Sequence, residues 1–173
     1  VGLLAAIAVG IVNGFFTVKV RIPSFLVTLA TMIGVQGLVY VLTNYRAVLI
    51  RDDLLPKIFY GARFVGDVSV AVFWMIGLII TAGIIARYTR FGRWMYSTGG
   101  DERAARLMGV PTARVKFMLF VVSSVMAGIA GFILASRALA ARPLMAKAYL
   151  MPGIAAPILG GALLTGGRGS VVR

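Results

Sequence analysis

Residues Ile22–Tyr45 read IPSFLVTLATMIGVQGLVYVLTNY, 24 positions without one charged side chain. The hydrocarbon core of a bilayer takes about 20 mostly apolar residues wound as an α-helix. Four more charge-free stretches of similar length follow the same rule: Val1–Val18, Val68–Ala86, Phe117–Ser136 and Ala148–Gly167. All 18 basic and all five acidic residues lie outside these five stretches. A soluble helical protein would instead place polar residues every few positions along its outward faces. The composition agrees, with 60% hydrophobic and 13% charged residues, where soluble domains carry about 25% charged. The pattern predicts an all-α polytopic transmembrane bundle, organised as one membrane domain over 1–173, with spans at about 1–18, 22–45, 68–86 and 117–136.

The stretch 148–167 differs from the others. It holds Pro152, Pro157 and five glycines, and a continuous helix loses about 1 kcal/mol per interior Gly and about 3 per interior Pro relative to Ala. Such backbone is tolerated at membrane depth where protein or a cavity surrounds it, so an interrupted last membrane segment is expected. The chain opens on Val1 rather than Met and stops just past this segment. An internal piece of a longer protein is therefore expected.

Composition also removes whole classes of chemistry. With no Cys and no His, disulfides, thiolate or imidazole metal sites and Ser-His-Asp triads are excluded. No cofactor, metal or catalytic residue is expected. The acids Asp52, Asp53, Asp67, Asp101 and Glu102 all lie between the spans, which argues against a carrier driven by an intramembrane proton site. The net charge of +13 comes from residues flanking apolar spans, so membrane-edge anchoring to the lipid bilayer explains it better than nucleic acid does. On one side of the membrane fall Lys19, Arg21 and the seven basic residues of Arg87–Lys116, against seven on the other side. The denser loops are placed in the cytoplasm.

Within that loop, Gly99-Gly100-Asp101-Glu102-Arg103-Ala104-Ala105-Arg106-Leu107-Met108-Gly109-Val110-Pro111 reads as a short helix with both ends specified. Asp101 is a good N-cap, and Glu102 favours the positive helix end. Gly109 suits the left-handed position after a helix, and Pro111 stops continuation. Glu102 and Arg106 are i,i+4 partners, while Ala104, Ala105, Leu107 and Met108 are expected to form an apolar side. So short a rod is unstable alone and needs something to dock on. Either it lies on the bilayer and the span ends, or its alanine face enters a groove on a cytoplasmic partner.

Asn13, Thr28, Thr31 and Gln36 are polar side chains inside the first two spans. They suit either a solute pathway or interhelical hydrogen bonding. Phe15, Phe16, Tyr40 and Trp74 could stack on a sugar ring, but packing and interfacial anchoring account for such residues more often. Ser123, Ala127, Gly131 and Ala135 recur every fourth residue, a spacing that allows close helix approach. The run from Gly161 to Ser170 has the glycines of a phosphate loop but lacks its lysine, so close backbone packing explains it better and ATP hydrolysis is expected on another subunit.

Four separated blocks, in order, resemble the permease of ribose/xylose/arabinose-type sugar ABC importers. The block Arg21–Met32 is similar to R-I-P-x-F-I-V-T-L-x-T-M, and Thr89–Gly100 resembles T-x-F-G-R-x-I-Y-A-x-G-G. Ala104–Val110 resembles A-A-R-L-S-G-I. Ile154-Ala155-Ala156, Leu159-Gly160-Gly161 and Gly166–Val171 resemble the family's I-A-A…GG…GGRGS-V end. The resemblance implies a multi-pass subunit of the bacterial inner membrane. Residues Gly99, Gly100, Asp101, Glu102, Ala104, Ala105, Leu107, Met108 and Gly109 would contact a cytoplasmic ABC ATPase subunit. It further implies a periplasmic substrate-binding protein that delivers a small-molecule sugar, and a second permease copy as homodimer partner. Where the family has G-Y-E-L-D, this chain has Ala148-Tyr149-Leu150-Met151-Pro152, and Pro157 replaces an aliphatic residue; no role is carried over to that stretch. Branched-chain amino acids or nucleosides as cargo, or an ATP-independent channel or scaffold, are the alternative readings.

Overall fold

A computed structural model describes residues 2–50 and 70–161. Asp52, Asp53 and Asp67 of the 46–67 loop, and the glycine-rich run from 162 onward, lie outside the described residues. The described chain is almost wholly helical, as the charge-free stretches require. Among the described residues, four helical segments are long and apolar enough to cross a membrane: Gly2–Val20, Ser24–Thr43, Val70–Tyr88 and Thr112–Ala138. The chain is a multi-pass membrane protein. Its contacts group into two compact units, 1–74 with 117–147 and 75–116 with 148–173.

In the first unit, helix α1 (Gly2–Phe15) runs on into a π-helical turn, Phe16–Val20. Arg21 ends it in the left-handed region at φ 63°, and its N–H bonds the Phe16 carbonyl. Pro23, whose fixed φ suits a helix start, leads into α2 (Ser24–Thr43), and its carbonyl accepts from Leu26 and Val27. Asn44 closes α2 at φ 47°, a conformation Asn tolerates better than most residues. Beyond it, strand β1 (Val48–Leu49) pairs antiparallel with β2 (Ala140–Ala141), Val48 opposite Ala141. The bridge ties the exit of α2 to the exit of α6 (Thr112–Ala138).

Glycines seat α1 against α6. A Cβ added at Gly10 would lie 2.8 Å from Ser124 Oγ and 3.0 Å from the Val121 Cα. One at Gly14 would meet the Phe117 ring at 2.8 Å, and one at Gly128 the Ala6 methyl at 2.9 Å. The small residues that bring these backbones together are Gly2, Ala6, Gly10 and Gly14 on α1. Of the stripe expected from sequence on α6, Ser123, Ala127 and Gly131 are exposed and Ala135 is half-buried, and no described residue comes within 4 Å of a Cβ at Gly131.

Helix α6 has 27 residues, about 40 Å at 1.5 Å per residue, which exceeds a hydrocarbon core of about 30 Å. Its charge-free part, 117–136, matches that thickness, with Arg114 and Lys116 before it and Arg137 after it.

The second unit contains most of α3 (Val70–Tyr88), then α4 (Arg90–Gly100), α5 (Glu102–Leu107) and the first turn of α6. The connection 87–116, expected to hold one short rod, therefore holds two helices. A 3₁₀ turn, Lys147–Tyr149, leads into α7 (Leu150–Leu159), which contains Pro157 and stops at a Gly160–Gly161 turn. Its ten residues rise about 15 Å, half of what a span needs, in line with an interrupted segment.

Candidate functional site

Single residues set the break between each pair of helices. Thr89 is extended (φ −97°, ψ 159°), and its Oγ1 accepts from the Gly92 N–H. The same hydroxyl donates to the Ile85 carbonyl at 2.6 Å. The chain folds so tightly that a Cβ at Gly92 would collide with the Ala86 carbonyl, so glycine is required there. Asp101, also extended, separates α4 from α5 and caps the latter, its carboxylate accepting from the N–H groups of Arg103 (2.8 Å) and Ala104 (3.1 Å). These are two of the donors that a helix start leaves unpaired. Gly99 and Gly100, which precede the Asp101 cap, are the last residues of α4.

The far end of α5 is closed just as fully. Gly109 sits at φ 80°. Its N–H bonds the Arg106 carbonyl at 3.0 Å, and the Val110 N–H bonds that of Ala105 at 3.0 Å. This is the paired bonding of a glycine-terminated helix. Pro111 then turns the chain into α6, its carbonyl accepting from Val115.

Side chains fasten α5 to the start of α6. Glu102 Oε1 accepts from Arg106 Nη2 at 2.6 Å, the expected i,i+4 pair, and Oε2 accepts from Lys116 Nζ at 2.6 Å. Arg106 Nε donates to Thr112 Oγ1 at 2.9 Å. The hydrogen bonds from Lys116 and then Arg106 hold the Glu102 carboxyl below the usual carboxylate range. Ala105, Thr112 and Val115 are all buried. Leu107 and Met108 are 90% and 85% exposed, so the four apolar residues of α5 do not form one side: Ala105 is used inward, Leu107 and Met108 are offered outward. Lys116 and Thr112 were not legible as partners, because 14 residues separate Lys116 from Glu102 and only the Gly109–Pro111 turn brings them together.

In the first unit the four polar candidates separate. Asn13 is buried, and Thr31 Oγ1 lies 2.8 Å from its Oδ1 and 3.0 Å from the Val27 carbonyl. The two side chains link α1 to α2. Thr28 turns back on its own helix, donating to the Ser24 and Phe25 carbonyls, and Gln36 is half-buried. Sequence reasoning missed Thr17, four residues beyond Asn13. It lies in the π-helical turn, and its Oγ1 is buried without a hydrogen-bond partner among the described residues. Of the aromatic candidates, Tyr40 stacks on Tyr45 with ring centres 4.5 Å apart, and Phe15 meets Phe16 edge to face.

These features define a polytopic α-helical membrane protein that carries a doubly capped helix on an extramembrane connection. The chain belongs to the family described as the permease component of branched-chain amino acid transport systems, which matches residues 1–172. It is 38% identical over 92% of its length to the L-arabinose transport system permease protein of Escherichia coli, covering 48% of that protein. It is 36% identical over 98% of its length to the L-arabinose ABC transporter permease protein of Azospirillum brasilense, covering 50%. With the ribose import permease protein of Bacillus subtilis the identity is 32% over 92% of the chain, again covering 50%. The chain thus spans about half the length of the curated relatives it matches. No solved structure matches it.

Proposed function

We propose that the chain is part of the inner-membrane permease subunit of an ATP-driven ABC importer, and that its cargo is a monosaccharide. The observation that carries this reading is the likeness, over nearly the whole chain, to permeases named for L-arabinose and ribose. The family's description names branched-chain amino acids; the individual relatives favour a sugar. The subunit forms the passage and performs no covalent chemistry, leaving ATP hydrolysis to a separate cytoplasmic subunit and solute delivery to a periplasmic binding protein. A second permease copy completes the pathway.

The connection 87–116 lies in the cytoplasm in this reading, and residues 99–111 take up the motion of the ATPase. Leu107 and Met108, apolar and outward on a rigid helix, suit a groove on that partner. Asn13, Thr28, Thr31 and Gln36, joined by Thr17, are the candidate lining, since a hydroxyl-rich solute needs hydrogen-bonding groups that bind it weakly. Uptake of labelled L-arabinose by the full-length permease, reconstituted with its ATPase and binding protein, tests the proposal. Competition by unlabelled ribose and L-arabinose, but not by leucine or a nucleoside, is the expected result. Competition by leucine alone would overturn the sugar assignment, and flux that persists without ATP would overturn the importer.

A further inference from the structure

We infer that Glu102 and Lys116 form an internal strut that fixes α5 to the extramembrane first turn of α6, making α5 and that turn a single rigid lever. The inference rests on the coupling role proposed for residues 99–111. It adds that the acid of this loop faces its own subunit rather than the partner. Both carboxylate oxygens of Glu102 are engaged at 2.6 Å, one by Lys116 of α6 and one by Arg106 of α5. Arg106 in turn reaches Thr112 at 2.9 Å, so two side-chain links cross from α5 to α6. Between them the backbone is closed by the Val110 N–H on the Ala105 carbonyl, and Ala105 and Val115 are buried.

The arrangement has a mechanical consequence. A six-residue helix joined by one glycine turn would pivot when pushed, and the push would be lost. Two charge-assisted links, partly exposed and so screened by solvent, act together with the burial of Ala105 and Val115 to oppose that pivot. Force on Leu107 and Met108 then passes to Lys116, one residue before the charge-free part of α6 begins. Glu102 and Lys116 are thus positioning residues, acting through α5 without touching the solute.

The test uses the full-length permease with its ATPase and binding protein in proteoliposomes, comparing Glu102→Lys, Lys116→Glu and the double reversal. Solute moved per ATP hydrolysed reports coupling, and copurified ATPase reports docking. Each single reversal is expected to retain the ATPase and to lower transport per ATP about tenfold, while the double reversal restores it, as contacting residues give non-additive effects. Should the single variants fail to accumulate in the membrane, recovery of accumulation in the double reversal is the same rescue, and its absence overturns the inference. Wild-type transport by Lys116→Glu overturns it, as does loss of the ATPase from Glu102→Lys alone, which would mean that the acid faces the partner. Leu107→Asp separates the two levels. Normal transport by that variant refutes the coupling role of α5 itself, whatever the charge pair does.

Discussion

Replacing Gly10 by Ala should weaken the seat of α1 on α6, and by an amount that the structure lets one separate from helix propensity. In a helix, Gly→Ala by itself is favourable by about 1 kcal/mol. At Gly10 the new methyl would sit 2.8 Å from Ser124 Oγ, 2.9 Å from Ser124 Cβ and 3.0 Å from the Val121 Cα. The last of these is backbone and cannot turn aside, so the helices must separate, at a cost typical of overpacking, about 1–3 kcal/mol. No described residue comes within 4 Å of the Cβ direction of Gly34 on α2, so Gly34→Ala collects the propensity gain alone. The propensity terms cancel between the two variants, leaving Gly10→Ala the less stable by about 1–3 kcal/mol. At 2 kcal/mol this is roughly a thirtyfold change in the folded-to-unfolded ratio. Gly14→Ala should fall between them, because it meets the Phe117 ring, which can rotate away. The assay is reversible unfolding of the full-length protein in mixed micelles of mild and denaturing detergent, followed by helix circular dichroism. Coincident transitions for Gly10→Ala and Gly34→Ala would refute the packing argument.

Asp101→Ala should cost about 1 kcal/mol of local helix stability, while Asp101→Asn, which keeps a capping oxygen, should cost less; faster amide exchange at Arg103 and Ala104 in the alanine variant alone would register the difference. Glu102 carries the pH dependence of α5. Its carboxyl is held below the usual carboxylate range by Lys116 and Arg106, so its contribution is complete above that range and is lost as pH falls through the depressed value. A spin label on α5 should therefore keep constant mobility from neutral pH down to the usual carboxylate range and loosen only below it; in Glu102→Gln that acid transition should vanish, and its persistence would assign it to another group. Leu107→Asp and Ala105→Glu should differ in kind. The first alters a residue that is 90% exposed and should leave folding intact while abolishing ATP-coupled transport. The second forces a carboxylate into a site that is 3% exposed and should loosen α5 itself, visible as rapid proteolysis of the 102–111 connection without any partner present.

Membrane spans are legible because the bilayer imposes a one-dimensional rule: length and absence of charge suffice, and Ile22–Tyr45 meets both with no knowledge of its neighbours. Caps are legible for a similar reason, since Asp101 and Gly109 act on backbone groups within three residues of themselves. What failed was either long in range or ambiguous in period. Residues 90–100 carry Arg90, Gly92, Arg93, Gly99 and Gly100, a composition that reads as loop, yet Thr89 caps them and Gly92 lets them pack on the end of α3. The four-residue spacing of small side chains occurs on both α1 and α6, and spacing alone cannot say which face meets a neighbour. Among the described residues Gly2, Ala6, Gly10 and Gly14 meet α6, while Ser123, Ala127 and Gly131 are exposed and Ala135 is half-buried. Thr17 lies inside the charge-free stretch 1–18, four residues after Asn13, so its place in the span was legible, but the burial of its hydroxyl was not.

The short length of α5 pointed to a helix that needs a docking surface, either the bilayer and the span ends or a cytoplasmic partner. Its surroundings give a different account of the same physics. Six residues cannot repay helix nucleation, and the deficit is met inside the subunit: Asp101 satisfies the leading N–H groups, the Gly109 turn satisfies the trailing carbonyls, and Ala105 is buried. The need for a docking surface was real, but α6 contributes to meeting it. The consequence bears on mechanism. A helix that folded only on its partner would spend part of each encounter on ordering itself, and little of the partner's motion would be transmitted. A helix already ordered, with Leu107 and Met108 presented and Glu102 clamped to Lys116, can be displaced as a body, and that is the property a coupling element requires.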